Sequence, residues 1–446
     1  MIEMTTDAFR TRCDEAGIHT VEVAIGDTYG HLRGKRVPVD RYFAEVAESG
    51  ASIADAVFIL NVCDELIDHE IVNMDNGFLD TRIVPDPASA RLLTHRPGYA
   101  LVFCDSFGEH GAPHVLAPRA VLAAQVERCR ALGLDPVVAT EPEFYMCTVA
   151  DDGTWVPVRP QIKYSSLTDA PDLEQVLAAI RSGLAVESSN QEYGPSQIEV
   201  NHGPADAMRA AEDCILYRSI VKQVAEQHGM RATFMPKPFT EESGSGLHVH
   251  TSLRDGDGGN AFASSSGAPN DLMGRWVAGI LEHAPALTLL GGPTANGPRR
   301  IRPYTFAPTH VHWGLDNRTV LARCIVEDGS TANRVEFRSA GADANPYLLI
   351  AGILAAGCDG IERSLELPPI SEGDMYTEPG DCVPLATDLT GAIEAFEGSG
   401  MASMLGDEFS RSFVSLAREE ERLAAENNPD PDDVNDWERA RYLEFS

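Results

Sequence analysis

The stretch Ser243-Gly-Ser-Gly-Leu-His-Val-His-Thr-Ser-Leu253 decides how the rest of the chain is read. Its glycines let backbone come close to a ligand, and they lead into an alternating strand whose His248, His250 and Ser252 face one side. A strand that turns two imidazoles and a hydroxyl the same way lines something. Taken alone the stretch is equally a sheet edge with solvated polar residues, so its meaning rests on its company.

Upstream, Val137-Val-Ala-Thr140 leads into Glu141-Pro-Glu143-Phe-Tyr145, and an extended segment puts Glu141 and Glu143 on one face. Neighbouring carboxylates repel unless a cation or a proton sits between them. Further on, Glu192-Tyr-Gly-Pro-Ser-Gln-Ile-Glu199 carries a turn at Gly194-Pro195 that would bring two strand-borne carboxylates to one site. Downstream, arginines gather at 299, 300, 302, 318, 323, 334 and 338, with Arg334, Glu336 and Arg338 on one strand face. In so acidic a chain a local excess of Arg implies a bound anion, because guanidinium forks match phosphate and carboxylate.

Five glutamates and a histidine are mostly hard oxygen donors, which suit Mg²⁺ or Mn²⁺ better than zinc. Arginines beside such cations are what phosphoryl transfer requires, since metals bridge phosphates while guanidinium groups neutralise developing charge. No P-loop or dinucleotide glycine fingerprint offers another cradle. The inference is an ATP-dependent enzyme.

Composition bounds this reading. The 446 residues suffice for two or three domains, or one large and one small. A net charge of −33, from 35 Lys plus Arg against 68 Asp plus Glu, repels nucleic acid and anionic membrane. Nine scattered cysteines without a Cys-x-x-Cys pair read as reduced, mostly buried thiols. With no basic, apolar leader and no long apolar run, a cytoplasmic enzyme is expected.

In chain order, a helix is expected over 4–17, then strands at 19–25, 32–38, Ala56–Leu60, 81–85 and 100–104, forming a small strand-rich domain over 1–112. The polar run 104–114 marks the boundary with a larger unit, 113–446. That unit begins with a helix from Pro118 and continues with helices near 172–185, 205–229, 271–290 and 346–365. The acidic helices of 401–445 read as peripheral, with faces needing no functional explanation.

These residues resemble the glutamine synthetase family, and within it the gamma-glutamyl amine ligases. The similarity runs from Gly30-His-Leu-Arg-Gly-Lys-Arg36 to Asp436-Trp-Glu-Arg439. It rests on Glu141-Pro-Glu143-Phe, Glu192-x-Gly-Pro-Ser-Gln-x-Glu199, Met235-Pro-Lys-Pro238, Gly244-Ser-Gly-Leu-His248-Val-His250-x-Ser252, Asp316-Asn-Arg318, Arg334-Val-Glu336-Phe-Arg338 and Ala344-Asn-Pro-Tyr347. The resemblance implies an α+β fold: a β-grasp-like N-terminal domain and a catalytic domain with a curved antiparallel half-barrel sheet. It implies one metal site from Glu143, Glu192 and Glu199, a second from Glu141, His248 and Glu336, and two to three Mg²⁺ or Mn²⁺ in all. Arg300 and Arg338 would hold L-glutamate with Gly244, and Arg318 would meet the transferring phosphoryl group. Arg323, Arg334, His250, Ser252 and Glu187 would surround ATP. It also implies a dodecamer of stacked hexamers with sites between subunits.

The departures bear on the nitrogen donor. Glutamine synthetases carry a flap glutamate after the substrate arginine; here the segment is Arg300-Ile-Arg-Pro-Tyr-Thr-Phe306-Ala-Pro308, with Phe306 in its place. The Asp-Gly-Ser-Ser loop is replaced by Ala54-Asp-Ala-Val-Phe-Ile-Leu60, and Ser243 replaces an asparagine. An aromatic in place of an anion removes a small-cation site and adds apolar surface, so a small organic amine is expected rather than ammonia. A divergent glutamine synthetase and a non-catalytic regulatory or scaffold homologue are the alternatives. His310, His312 and Trp313 read as structural residues.

Overall fold

The computed structural model describes residues 4–446 apart from 68, 109–110, 168–170, 182–183, 304, 329, 429 and 431. Two sheets, built from separate parts of the sequence, set the architecture. The first contains β1 (Thr20–Gly26), β2 (Leu32–Pro38), β3 (Ala51–Ala54), β4 (Asp80–Pro85), β5 (Arg91–Leu92) and β6 (Tyr99–Phe107). Its order is β2-β1-β6-β4-β3 with β5 added to β6, and its β1/β6 pair is parallel. Alternation puts Val21 and Val23 on one face of β1, where they pack with Phe9, Tyr42 and Val46 in a core of their own. The strand expected at Ala56–Leu60 does not form. Asp55–Phe58 is a 3₁₀ turn that drives Phe58 and Ile59 into that core, and a short apolar run cannot by itself distinguish the two outcomes.

The second sheet holds ten strands: β7 (Asp135–Val149), β8 (Trp155–Pro157), β9 (Val186–Gln191), β10 (Gln197–His202), β11 (Ala205–Asp206), β12 (Arg231–Thr233), β13 (Leu247–Arg254), β14 (Trp313–Leu315), β15 (Ala322–Ile325) and β16 (Arg334–Phe337). They run β14-β15-β16-β13-β7-β10-β9, with β8, β11 and β12 also on β7. All pairs except β14/β15 are antiparallel, so β7 is the spine and β13 and β10 flank it. Helices Pro118–Ala131, Ala207–Gln227, Asp271–Gly291 and Pro346–Glu362 supply the apolar backing as expected. The helix expected over 172–185 is seen as Pro171–Arg181, with 182–183 outside the described residues; so are 109–110 of the polar run. No helix among the described residues is long and apolar enough to cross a membrane. All nine cysteines are free, and seven are buried.

The C-terminal helices are not peripheral. Glu438, fully buried on the Asp436–Tyr442 helix, accepts hydrogen bonds from Arg299 Nε at 2.7 Å, Asn296 Nδ2 at 2.8 Å and Asn428 Nδ2 at 2.7 Å. Asn296 in turn pins Lys237 through both its backbone groups, at 2.7 and 3.0 Å. Glu420, also fully buried, takes Arg441 through two bonds of 2.8 Å. Composition alone cannot separate such a carboxylate from a solvated one. The small sheet is tied on by Asn345 Nδ2, which donates to Asp27 O at 2.9 Å and Thr28 O at 3.0 Å.

Removing one partner of a buried ion pair strands the other charge, at a cost of about 3–5 kcal/mol. Glu438→Ala is therefore expected to lower the thermal unfolding midpoint clearly and Glu438→Gln to lower it less. Equal midpoints for wild type and Glu438→Ala would show the network to be idle.

Candidate active site

Strand register places the charges. Glu199 on β10 stands directly opposite Glu143 on β7, His248 on β13 opposite Glu141, and both His250 on β13 and Arg323 on β15 opposite Glu336 on β16. Like charges directly opposed across a sheet destabilise it. Two sets have ligand atoms all within 4.8 Å of one another: Glu141, His248 and Glu336, and Glu143, Glu199 and His248. Thus the second expected metal trio is assembled, while in the first His248 stands where Glu192 was expected. Glu192 sits just past β9, where Asn190 Nδ2 holds its Oε1 at 2.8 Å.

The donor set fits a hard divalent cation. Both ring nitrogens of His248 are buried without a hydrogen-bond partner among the described residues, Nδ1 lying 3.5 Å from Glu141 Oε2 and from Glu336 Oε1. Buried polar atoms are rarely left so, and oxygen donors around one imidazole suit Mg²⁺ or Mn²⁺. Glu143 is oriented by Gln197 Nε2 at 2.9 Å and the Gly246 N–H at 3.0 Å; Asn201 Nδ2 holds Glu199 at 3.1 Å. His250 Nε2 lies 3.0 Å from Glu141 Oε1.

Protonation follows from burial and neighbours. Burial raises Glu143 to about 7, with Arg300 opposing. Burial, then the charges of Glu141, Glu143 and Glu192, raise Glu199 to about 9. Burial likewise raises Glu192, with Asn190 opposing, and pulls His248 down to about 4. Glu141 and Glu336 go the other way: burial opposes it, but His248 and His250 hold Glu141 well below the usual range, and Arg338 leads in holding Glu336 at about 2. Proton binding is thus favoured in the half made by Glu143, Glu192 and Glu199 and disfavoured in the half made by Glu141 and Glu336.

The arginines divide in two. Arg338 and Arg323 pair with Glu336, the latter at 2.9 Å, and Arg334 Nε meets His250 Nδ1 at 3.2 Å. Arg300, 2% exposed, has among the described residues only the carbonyls of Ser339 at 3.1 Å and Arg338 at 3.5 Å, and its Nε has no partner among them. It lies so close under the glycine approach that a Cβ on Gly244 would fall 2.7 Å from its Cγ, and one on Gly246 2.4 Å from its Nη2. That is why these positions are glycine. A buried guanidinium without a carboxylate is a ready anion receiver. Arg318 is exposed, and its charge acts on Glu192.

Phe306, 45% exposed, has φ +62°, a conformation that strains a bulky residue, and meets Tyr193 with ring centroids 5.0 Å apart. Glu187 is exposed on β9 and joins neither carboxylate set, and Ser252 lies half-buried opposite Val137. His312 and Trp313 are structural: His312 Nδ1 accepts from Leu321 N at 3.1 Å, and Trp313 Nε1 donates to Pro368 O at 2.9 Å. Sequence reasoning missed Tyr193, Gln197 and Tyr376. Tyr376 Oη reaches the Arg318 carbonyl at 3.5 Å and lies in the field of Arg338 and Arg300. Gln197 was inside a quoted motif, and Tyr193 adjoins Glu192, but nothing in the sequence pointed to Tyr376.

The glutamine synthetase catalytic-domain model matches residues 115–442. The chain is 34% identical over 451 aligned residues to a glutamate–isopropylamine ligase of a Pseudomonas species, covering 97% of this chain and 96% of that one. It is 35% identical over 441 residues to the gamma-glutamylethanolamide synthetase of Streptomyces coelicolor, covering 96% and 93%. A solved complex of GmaS with ADP superposes with a TM-score of 0.82 at 28% identity, covering 96% and 98%. The chain belongs to the glutamine synthetase family.

The carboxylate shifts set a pH dependence. A carboxylate whose pKa is raised on folding stabilises the fold below its ordinary value of 4.5, and that stabilisation is lost as pH rises through the raised value. Metal-stripped protein should therefore lose stability as Glu143 and Glu199 ionise, from 4.5 up to about 7 and about 9. Because a bound cation replaces those protons, saturating Mn²⁺ should raise the thermal midpoint more at about pH 8.5 than at about pH 6. A gain that shrinks over that range would contradict the assignment.

Proposed function

We propose that this chain is an ATP-dependent ligase that joins the γ-carboxylate of L-glutamate to a small organic amine. The observation that carries the amine is Phe306, strained and set against Tyr193 beside Glu192, where an ammonia-using enzyme needs an anion. The two relatives named for isopropylamine and ethanolamide chemistry support the same reading.

In this reading Glu141, His248 and Glu336 hold one cation and Glu143 and Glu199 another, joined by Glu192, whose charge acts on Glu199; two to three Mg²⁺ or Mn²⁺ bind per site. When bound, such cations neutralise phosphate and carboxylate oxygens. Arg300 and Arg338 receive the carboxylates of glutamate against the Gly244 backbone. Arg323, Arg334, His250, Ser252 and Glu187 surround the nucleotide, and exposed Arg318 swings to the γ-phosphoryl group. The γ-carboxylate oxygen of glutamate attacks that phosphorus and ADP leaves. The amine lone pair then attacks the acyl carbon, the nitrogen gives up a proton and phosphate departs, leaving the γ-glutamyl amide. The aromatic pair offers apolar surface to the carbon chain of the amine. A scaffold without turnover has no use for opposed carboxylates that are costly without a cation. The assembly is a ring-stacked dodecamer in the cytoplasm, and light scattering that gives a monomer would sink that part.

The test is phosphate release from ATP with glutamate and Mg²⁺ against ammonium and a panel of alkyl-, hydroxyalkyl-, poly- and arylamines, with products checked by mass. One organic amine should outperform ammonium, and Phe306→Glu should shift the ratio toward ammonium by about tenfold or more. Ammonium alone supporting turnover would make this a divergent glutamine synthetase.

A further inference from the structure

Phe306 keeps a backbone conformation that a bulky residue avoids, with φ +62°. Such a conformation persists only where its surroundings over-determine it. The ring contact with Tyr193 is a weak guarantor, because Phe306 is 45% and Tyr193 49% exposed. What fixes Phe306 therefore lies in the chain on either side of it.

On its C-terminal side the chain is pinned. Ala307 and Pro308 are buried, the Leu385 N–H donates to the Thr309 carbonyl at 2.9 Å, and the Val311 N–H donates to the Val383 carbonyl at 2.8 Å. On the N-terminal side there are two tethers. One is an ion pair, Arg302 Nη1 to Asp432 Oδ1 at 2.8 Å, but the Asp432 side chain is 82% exposed and such surface pairs contribute little. The other is the Thr305 hydroxyl, which lies 2.6 Å from the Arg300 carbonyl oxygen and 2.8 Å from that of Arg302. A hydroxyl has one hydrogen to donate, so the two carbonyls share it and one side chain closes the segment 300–305 on itself. The same carbonyls also accept from backbone, Arg300 O from the Arg302 N–H at 3.0 Å and Arg302 O from the Thr305 N–H at 3.4 Å. Both contacts are longer than those of the hydroxyl, which makes the Thr305 side chain the main tether.

We propose that Thr305 is a positioning residue for the amine: its hydroxyl sets the segment so that Phe306 stands against Tyr193 and turns its ring toward the incoming carbon chain. This rests on the reading of Phe306 given above and names the group that keeps Phe306 in place. The Arg300 guanidinium does not depend on Thr305, since the Ser339 and Arg338 carbonyls and the packed glycines at 244 and 246 hold it from the other side. Loss of the hydroxyl should therefore act on the amine and spare glutamate.

Thr305→Val keeps the shape and deletes the donor, whereas Thr305→Ser keeps the donor. Hydrogen–deuterium exchange on the intact protein without ligands, read by mass spectrometry, tests the tether independently of turnover. The 300–308 peptide should exchange roughly three- to tenfold faster in Thr305→Val, as for the loss of one hydrogen bond, and at the wild-type rate in Thr305→Ser and Asp432→Asn. Phosphate release is then followed with whichever of methylamine, isopropylamine and ethanolamine the wild type uses best. Thr305→Val should raise the KM for that amine by a similar factor, while kcat and the KM for glutamate move by less than about twofold, and Thr305→Ser should restore it. Unchanged exchange over 300–308 in Thr305→Val overturns the proposal whatever the activity. So does a fall in kcat with the amine KM unmoved, which is the mark of lost folded enzyme. Phe306→Leu separates the two ways of failing: if it raises the amine KM where Thr305→Val does not, this proposal falls alone, and if it too leaves that KM unmoved, the reading of Phe306 falls with it.

Discussion

Glu143 and Glu199 face each other across the β7/β10 ladder, and His248 completes a set with them from β13. A sheet does not gain from opposed carboxylates in its own interior. Their positions make physical sense only if a proton or a cation stands between them, and the rest of the sheet serves that requirement. Gln197, Asn201 and the Gly246 N–H orient the oxygens, and the apolar helices behind β7 and β13 keep the strands in register. At the other side of His248, Glu336 is kept ionised by Arg338 and Arg323 rather than by protons. Across the four neighbouring strands β10, β7, β13 and β16 the cluster therefore runs from carboxylates whose pKa is raised to ones whose pKa is lowered.

Arg300 is the second constraint. Its guanidinium is buried with only carbonyl partners among the described residues, so the backbone around it is specified from several directions. The glycine approach at 244–246 packs flat on it, and the neighbouring Arg299 is locked by Glu438 from the end of the chain. The C-terminal helices thus act on the site through one buried carboxylate, although no residue of theirs belongs to it.

Much of this was legible in the sequence, for identifiable reasons. Period-two spacing put His248 with His250 and Glu141 with Glu143 on common faces, and both pairs meet as that spacing requires. The Gly194-Pro195 turn was expected to bring Glu192 and Glu199 to one site; Glu199 stands there, opposite Glu143, while Glu192 lies just past β9 on Asn190. Local pattern gives faces but not inter-strand register, so the sharing of His248 between both sets and the displacement of Glu192 toward Asn190 were out of reach. The apolar run Ala56–Leu60 was ambiguous because burial, not periodicity, dictates its turn. Glu420 and Glu438 sit in helices so acidic that a buried pair looks like a solvated one until its partners, Arg441 and Arg299, are located. Tyr376 comes from a loop without regular structure, where spacing carries no information about direction.

The central claim is that the opposed carboxylates and His248 form a cation site, and Mn²⁺ binding by equilibrium dialysis with electron paramagnetic resonance detection tests it most directly. About two or more Mn²⁺ should bind per chain in the presence of nucleotide, and a His248→Ala variant that remains folded should lose affinity at both positions, since its ring joins the two sets. Binding that is absent, or that survives the loss of His248 unchanged at every position, would contradict the account.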